Sequence, residues 1–160
     1  MAKKVKNKKT LVEQILTKAG IDHIGIQINA LEGELPPEYD RTHIFKTLAL
    51  LGDKTGPIIG IVPITEHLAE KKLAKVSGNK KVSMIPQKDL EKTTGYIHGA
   101  NNPVGIRQKH NYPIYIDQTA LDLDVMIVSA GEVGHSIIIR PRDLASFVKA
   151  DFADILEESK

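Results

Sequence analysis

Residues 43–64 read HIFKTLALLGDKTGPIIGIVPI, and this stretch decides the fold. Two apolar runs, 43–51 and 57–64, flank Gly52-Asp53-Lys54-Thr55-Gly56, a cluster of turn-forming residues. Short apolar runs joined by such a turn predict two strands of a β-hairpin. The first run is apolar on both faces, so it belongs in the centre of a sheet. With a period of two, Ile44, Lys46, Leu48 and Leu50 share one face, and Phe45, Thr47, Ala49 and Leu51 the other. Lys46 is therefore a cation among aliphatic neighbours. Burying an ammonium without a partner is costly, which leaves it three outcomes. It reaches the rim of the sheet, pairs with a carboxylate at the strand end, or meets an anion such as a phosphate or carboxyl ester.

N-terminal to the hairpin, Thr10 followed by Glu13 is a capping-box pattern, and Leu11, Val12, Ile15, Leu16 and Ala19 make one apolar stripe that Gly20 ends. A strand is expected over 21–28. Segment 30–42, with Glu32, Glu34, Pro36 and Pro37, reads as a loop with at most a helical turn. C-terminal to the hairpin, the pattern predicts a helix over 66–76, a strand over 80–85 and a helix over 87–93. Residues 95–105 (GYIHGANNPVG) hold too many Gly, Asn and Pro residues to be regular. Strands follow near 113–117, 124–129 and 135–140, and a last helix starts at Pro141. Helices and strands in this order specify an α+β fold: one domain with a mixed, largely antiparallel, curved sheet flanked by helices.

Composition narrows the function classes. A 160-residue chain that is 41% hydrophobic can bury a core, and with 4% aromatic residues and no Trp that core is aliphatic. The absence of cysteine excludes a disulfide scaffold, a thiolate zinc site and a cysteine nucleophile. His23, His43, His67, His98, His110 and His135 lack the close pair spacing of zinc ligands, so no metal and no cofactor are expected. No stretch approaches the ~20 apolar residues of a membrane span, and no hydrophobic signal region follows the charged start. A cytoplasmic location without membrane contact is expected. The net charge of +2 is unevenly spread: residues 1–9 carry five lysines and no acid, which leaves −3 for the remainder. Residues 1–9 read as a flexible, solubilising basic arm before a domain spanning 10–160.

Apart from Lys46, three regions hold residues suited to chemistry. Gly95, Gly99 and Gly105 let the loop 95–105 turn several N–H groups toward one point, an oxyanion-type arrangement that needs no ionisable side chain; an ordinary surface turn has the same composition. Ser129-Ala130-Gly131 places a hydroxyl beside flexible backbone at a strand end, and His98 and His135 border these loops. Residues 71–92 carry seven lysines against two acids, and Arg107, Lys109 and His110 follow the glycine-rich loop. Such clusters either form a solvated face or, along a cleft, hold an RNA backbone.

The segments IFKTLALLGDKTG, KKLAKVSGNKKV, TTGYIHGANNPVGIR, PIYIDQTALDL, VMIVSAGEVG and RPRDLASFVKADFADI, in this order from Ile44 to Asp154, resemble the YbaK/EbsC family of aminoacyl-tRNA editing domains, which includes the insertion domain of bacterial prolyl-tRNA synthetases. The resemblance implies that fold, and hydrolysis of the ester between an amino acid and the terminal ribose of tRNA without metal or covalent cofactor. It implies a pocket lysine at Lys46, beside Phe45 and Thr47. The family's loop that positions the scissile carbonyl or water corresponds to Gly99–Pro103, with Ala100 where a second glycine is common and Asn102 where a serine is common. Lys46, Gly99, Asn102 and Pro103 are thus the expected catalytic set. Gly95, Tyr96, His98, Ala100, Asn101, Gly105, Ser129, Ala130 and Gly131 are the expected substrate contacts. Lys71, Lys75, Lys80, Lys81, Arg107 and Lys109 are expected along the tRNA backbone. The reading is a free-standing editing deacylase, with Cys on tRNA for proline the leading substrate and prolyl-tRNA synthetase a further partner. A catalytically silent tRNA-binding or synthetase-docking module, or a hydrolase of another aminoacyl or acyl ester, are the other readings.

Overall fold

The computed structural model describes residues 9–28, 35 and 37–158. The basic arm up to Lys8, and Glu32, Glu34 and Pro36 of the acidic segment, lie outside the described residues. Helix α1 (Leu11–Ala19) starts as its capping box requires: Thr10 Oγ1 accepts from Glu13 N–H, and the Glu13 carboxylate accepts from Thr10 N–H. Gly20, with φ 75°, ends it.

The hairpin is β2 (Phe45–Gly52) and β3 (Gly56–Pro63), antiparallel from Phe45↔Pro63 to Gly52↔Gly56. With β4 (Val82–Met84), β5 (Ile114–Asp117) and β8 (Asp151–Ala153) it forms a five-stranded sheet in the order β4-β2-β3-β5-β8. β4 is antiparallel to β2, whereas β3–β5 and β5–β8 are parallel. A second, antiparallel sheet has the order β1-β7-β6, from β1 (His23–Ile26), β6 (Met126–Glu132) and β7 (His135–Ile139). The two sheets meet at one parallel bridge, Ile44↔Ile127.

Alternation along β2 sends side chains into two cores. Phe45 and Ala49 join a cluster with Leu16, Ile61, Val104, Ile116, Met126 and Leu144, and Leu50 joins another with Ile58, Val62 and Leu73. Helix α2 (Glu70–Ser77) covers the second cluster. Helices α1, α3 (Gln87–Thr94), α4 (Pro103–Lys109) and α5 (Pro141–Val148) contribute to the first.

Three segments differ from expectation. Residues 103–109 are helical, although the glycine, asparagine and proline content of 95–105 reads as irregular. The overlooked start signal is local: Asn102 caps the helix and Pro103 takes the first turn, where its missing N–H costs nothing. Residues 66–69 are not helical, because the chain's end pairs with them: Ala69 N–H donates to Ile155 C=O and Glu157 N–H to His67 C=O. Strand β8 follows the last helix and is only three residues long, too short for alternation to reveal.

Candidate active site

β2 has different neighbours at its two ends. Its start touches β6 at Ile44↔Ile127, and its end pairs with β4 from Leu50 to Gly52. Between them the outer edge of β2 is open, and a cavity of about 370 Å³ lies in that fork. One wall is residues 45–49, a second is Ile127, Val128 and Ser129 of β6, and a third is Met84, Ile85 and Gln87 at the β4–α3 connection. The loop after α3 closes the site with His98, Gly99 and Asn101, and the β6–β7 turn adds Gly134 and His135.

The loop's shape follows from its residues. Gly95 and Gly99 have φ of 87° and 91°, which favour glycine. Thr94, fully buried, ties the loop together: its hydroxyl accepts from Tyr96 N–H at 3.1 Å and donates to Asn101 Oδ1 at 2.7 Å. Ala100 N–H is spent on Ile97 C=O, whereas the N–H groups of Gly99 and Asn101 donate to no described group. Asn102 is fully buried beneath the loop. Its Oδ1 accepts from Gly105 N–H at 2.6 Å, and its Nδ2 donates to Ala100 C=O at 3.1 Å. A Cβ on Gly105 would lie 1.9 Å from Tyr96 Oη, so the tyrosine packs directly on that backbone. A bulge between Ser129 and Glu132 lets Ser129 Oγ accept from Gly131 N–H.

Of the expected site residues, the structure brings Phe45, Lys46, Thr47, His98, Gly99, Asn101 and Ser129 to one cavity. Gly95, Tyr96, Ala100, Asn102, Pro103, Gly105, Ala130 and Gly131 are not in its lining; they support the loops that form it. Lys46 is half-buried and forms no ion pair with any described residue. No carboxylate is among the described lining residues; Lys46 stands there without a described ion-pair partner, whereas His135 Nε2 lies 4.0 Å from Glu132 Oε1 outside the lining.

None of the expected RNA-backbone cations lines the cavity. Lys71 and Lys75 are exposed on α2, which covers the sheet's other core. Lys80 and Lys81 are exposed, and their N–H groups hold Asp53 Oδ1 at 2.8 and 3.0 Å. Those bonds, Lys81's foremost, keep the Asp53 carboxyl below its ordinary pKa. Arg107 is a structural clamp: Nε donates to Val148 C=O at 2.7 Å and Nη1 to His110 C=O at 3.2 Å, and burial lowers its pKa. Lys109 Nζ lies 5.5 Å from the Tyr96 ring centroid. The sequence reading missed Thr94, Ile85 and Gln87. A buried threonine at a helix end leaves no periodic signal, and the two wall residues sit at a short junction, Ile85 in the two-residue link after β4 and Gln87 at the start of α3.

The fold and this cleft define a class of small α+β domains with one cavity at the open edge of a sheet. One solved structure, described as a "putative trans-editing enzyme for prolyl tRNA synthetase", has a TM-score of 0.78 at 21% identity and covers 92% of this chain and 95% of its own. Another, "hypothetical protein APE2540", has a TM-score of 0.81 at 20% identity and covers 91% of this chain and 99% of its own. At that identity both show a shared fold. The aminoacyl-tRNA editing domain family matches residues 36–147. The "Putative Cys-tRNA(Pro)/Cys-tRNA(Cys) deacylase EbsC" of Enterococcus faecalis (strain ATCC 700802 / V583) is 37% identical over 162 aligned positions, which cover 97% of this chain and 98% of that protein. The chain belongs to the aminoacyl-tRNA editing domain family, and is an ester hydrolase that deacylates aminoacyl-tRNA. No helix among the described residues is long and apolar enough to cross a membrane.

Proposed function

We propose that the chain removes a wrongly attached small amino acid from tRNA, with Cys on tRNA for proline as its substrate, acting in trans. The observation that carries this reading is the gathering of Lys46, Gly99 and Asn101 around one cavity, in a chain 37% identical, almost end to end, to a protein with that named substrate. A cavity of about 370 Å³ walled by Phe45, Ile127 and Val128 suits a small side chain. Lys46 anchors the negatively charged RNA end, while unpaired N–H groups of the 99–101 turn stabilise the oxyanion that forms as water adds to the ester carbonyl. The carbonyl carbon–oxygen bond to the ribose then breaks, and the ribose hydroxyl leaves with a proton. Residues 10–160 form the editing domain, with the basic arm outside it. Prolyl-tRNA synthetase, which charges that tRNA, is the proposed partner.

The test is loss of ester from Cys-, Ala- and Ser-charged tRNA incubated with the pure protein. Acceleration with Cys-tRNA for proline is expected. A rate equal to spontaneous hydrolysis for all three defeats the reading.

A further inference from the structure

Thr47 combines a buried hydroxyl that has no described partner with a place on the unpaired edge of β2. Ile64 N–H donates to Ile44 C=O across the β2–β3 pair. In an antiparallel ladder the hydrogen-bonded pairs recur at every second residue, so with the register Lys46↔Val62 and Leu48↔Gly60 the even-numbered residues of β2 bond to β3. The odd-numbered residues point their N–H and C=O groups the other way, as Ile85 N–H donating to Ala49 C=O shows. At Thr47 no strand is paired on that side. β4 pairs only with residues 50–52, and the bridge to β6 lies at Ile44. No strand pairing is formed at Thr47 on this side, and its N–H and C=O lie on the edge that lines the cavity. The Thr47 hydroxyl, with under 1 Å² exposed, also lacks any described partner. A buried hydroxyl without a partner beside an unpaired stretch of strand edge is unusual, since a buried polar group without a partner costs free energy.

An aminoacyl ester carries an α-amino donor and a carbonyl acceptor on either side of one α-carbon, the same arrangement as a residue of a neighbouring strand. We propose that the aminoacyl group docks on the open edge of β2 as a one-residue antiparallel strand opposite Thr47. The α-amino group donates to Thr47 C=O, and the ester carbonyl accepts from Thr47 N–H. This rests on the deacylase reading and deepens it. Pairing through backbone groups fixes the α-carbon and carbonyl for every amino acid and leaves choice among side chains to the cavity walls. It also adds a preorganised donor to the reacting carbonyl oxygen. Thr47 is in this account a positioning residue. Substrates without an α-amino donor lose one of the two bonds.

The experiment uses the wild-type protein with two non-hydrolysable ligands, 3′-alanylamido- and 3′-propionylamido-3′-deoxyadenosine, which differ only in the α-amino group. At least about tenfold weaker binding of the propionyl compound is expected, the effect of one charge-assisted bond. Equal affinities, or no binding of either, overturn the docking mode. In parallel, Thr47→Pro deletes an N–H on the unpaired edge of β2, where proline is tolerated. Its kcat should fall about 10²-fold, as for loss of one oxyanion donor, and the preference for the alanyl ligand should persist, since the C=O remains. Wild-type kcat in folded Thr47→Pro also overturns the proposal. If the wild type deacylates no charged tRNA, the deacylase reading fails instead, and the ligand pair still decides the docking mode.

Discussion

Replacing Asn102 by alanine should destabilise the protein and disorder the 95–105 loop without removing any group that lines the cavity. The residue is fully buried, and both ends of its carboxamide are used, by Gly105 N–H at 2.6 Å and Ala100 C=O at 3.1 Å. Losing a helix N-cap costs about 1 kcal/mol, within a range of roughly 0.5–2. Leaving a buried donor unsatisfied costs about 1–3 kcal/mol. The Gly105 N–H is counted in both, so the combined effect is about 2–3 kcal/mol rather than their sum. For a chain of 160 residues, at about 2–4 °C per kcal/mol, the melting temperature should fall by about 5–10 °C. Asn102→Ser keeps an acceptor for Gly105 N–H and loses only the bond to Ala100, so it should retain about half of that stability or more. Thermal unfolding of both variants, with turnover measured well below their transitions, makes the check. Asn102→Ala melting like wild type yet inactive would mean that the side chain acts on substrate, and equal damage in both variants would refute the capping argument.

Lys46→Ala should lower kcat/KM by about 10–100-fold, the scale of a charge-assisted contact, with the melting temperature little changed because the amine has no described partner; full activity on charged tRNA would remove it from the mechanism. Gly105→Ala puts a Cβ 1.9 Å from Tyr96 Oη and should cost about 1–3 kcal/mol in urea unfolding, as overpacking does, and adding Tyr96→Phe should recover part of it. The double reversal Lys71→Glu and Lys75→Glu should leave KM for aminoacyl-tRNA within about twofold, since neither lysine lines the cavity, whereas Lys109→Glu beside the loop should raise KM in a salt-dependent way. A raised KM in the α2 double variant would mean that the RNA crosses that face.

The legible parts of this fold are those with local causes. The hairpin at 43–64 is written in two apolar runs around a turn, and α1 in a capping box and a stripe closed by Gly20. Helix α4 was legible too, through Asn102 and Pro103, but glycine and asparagine content masked it. Strand β8 was not, because three residues show no period and its pairing with β5 joins Tyr115 to Asp151. The same distinction runs through the site. Lys46 and the 95–105 loop were visible as a cation in an apolar strand and a run of glycines. That Asn101 faces the cavity while Asn102 sits beneath it depends on Thr94 and Gly105, which hold the two amides in different directions.

By itself the sequence determined which faces of the hairpin strands and of α1 are apolar and where α1 starts and stops, because side-chain period and capping act within a few residues. Only the tertiary structure decided that β2 has an open edge, that Arg107 is spent on Val148, and that α2's lysines stand away from the cavity. Which edge of a strand stays free depends on partners more than thirty residues away: Ile44 with Ile127, and Ala49 with Ile85. Backbone N–H and C=O groups are the same at every such position, so no residue type announces which of them will be left unpaired.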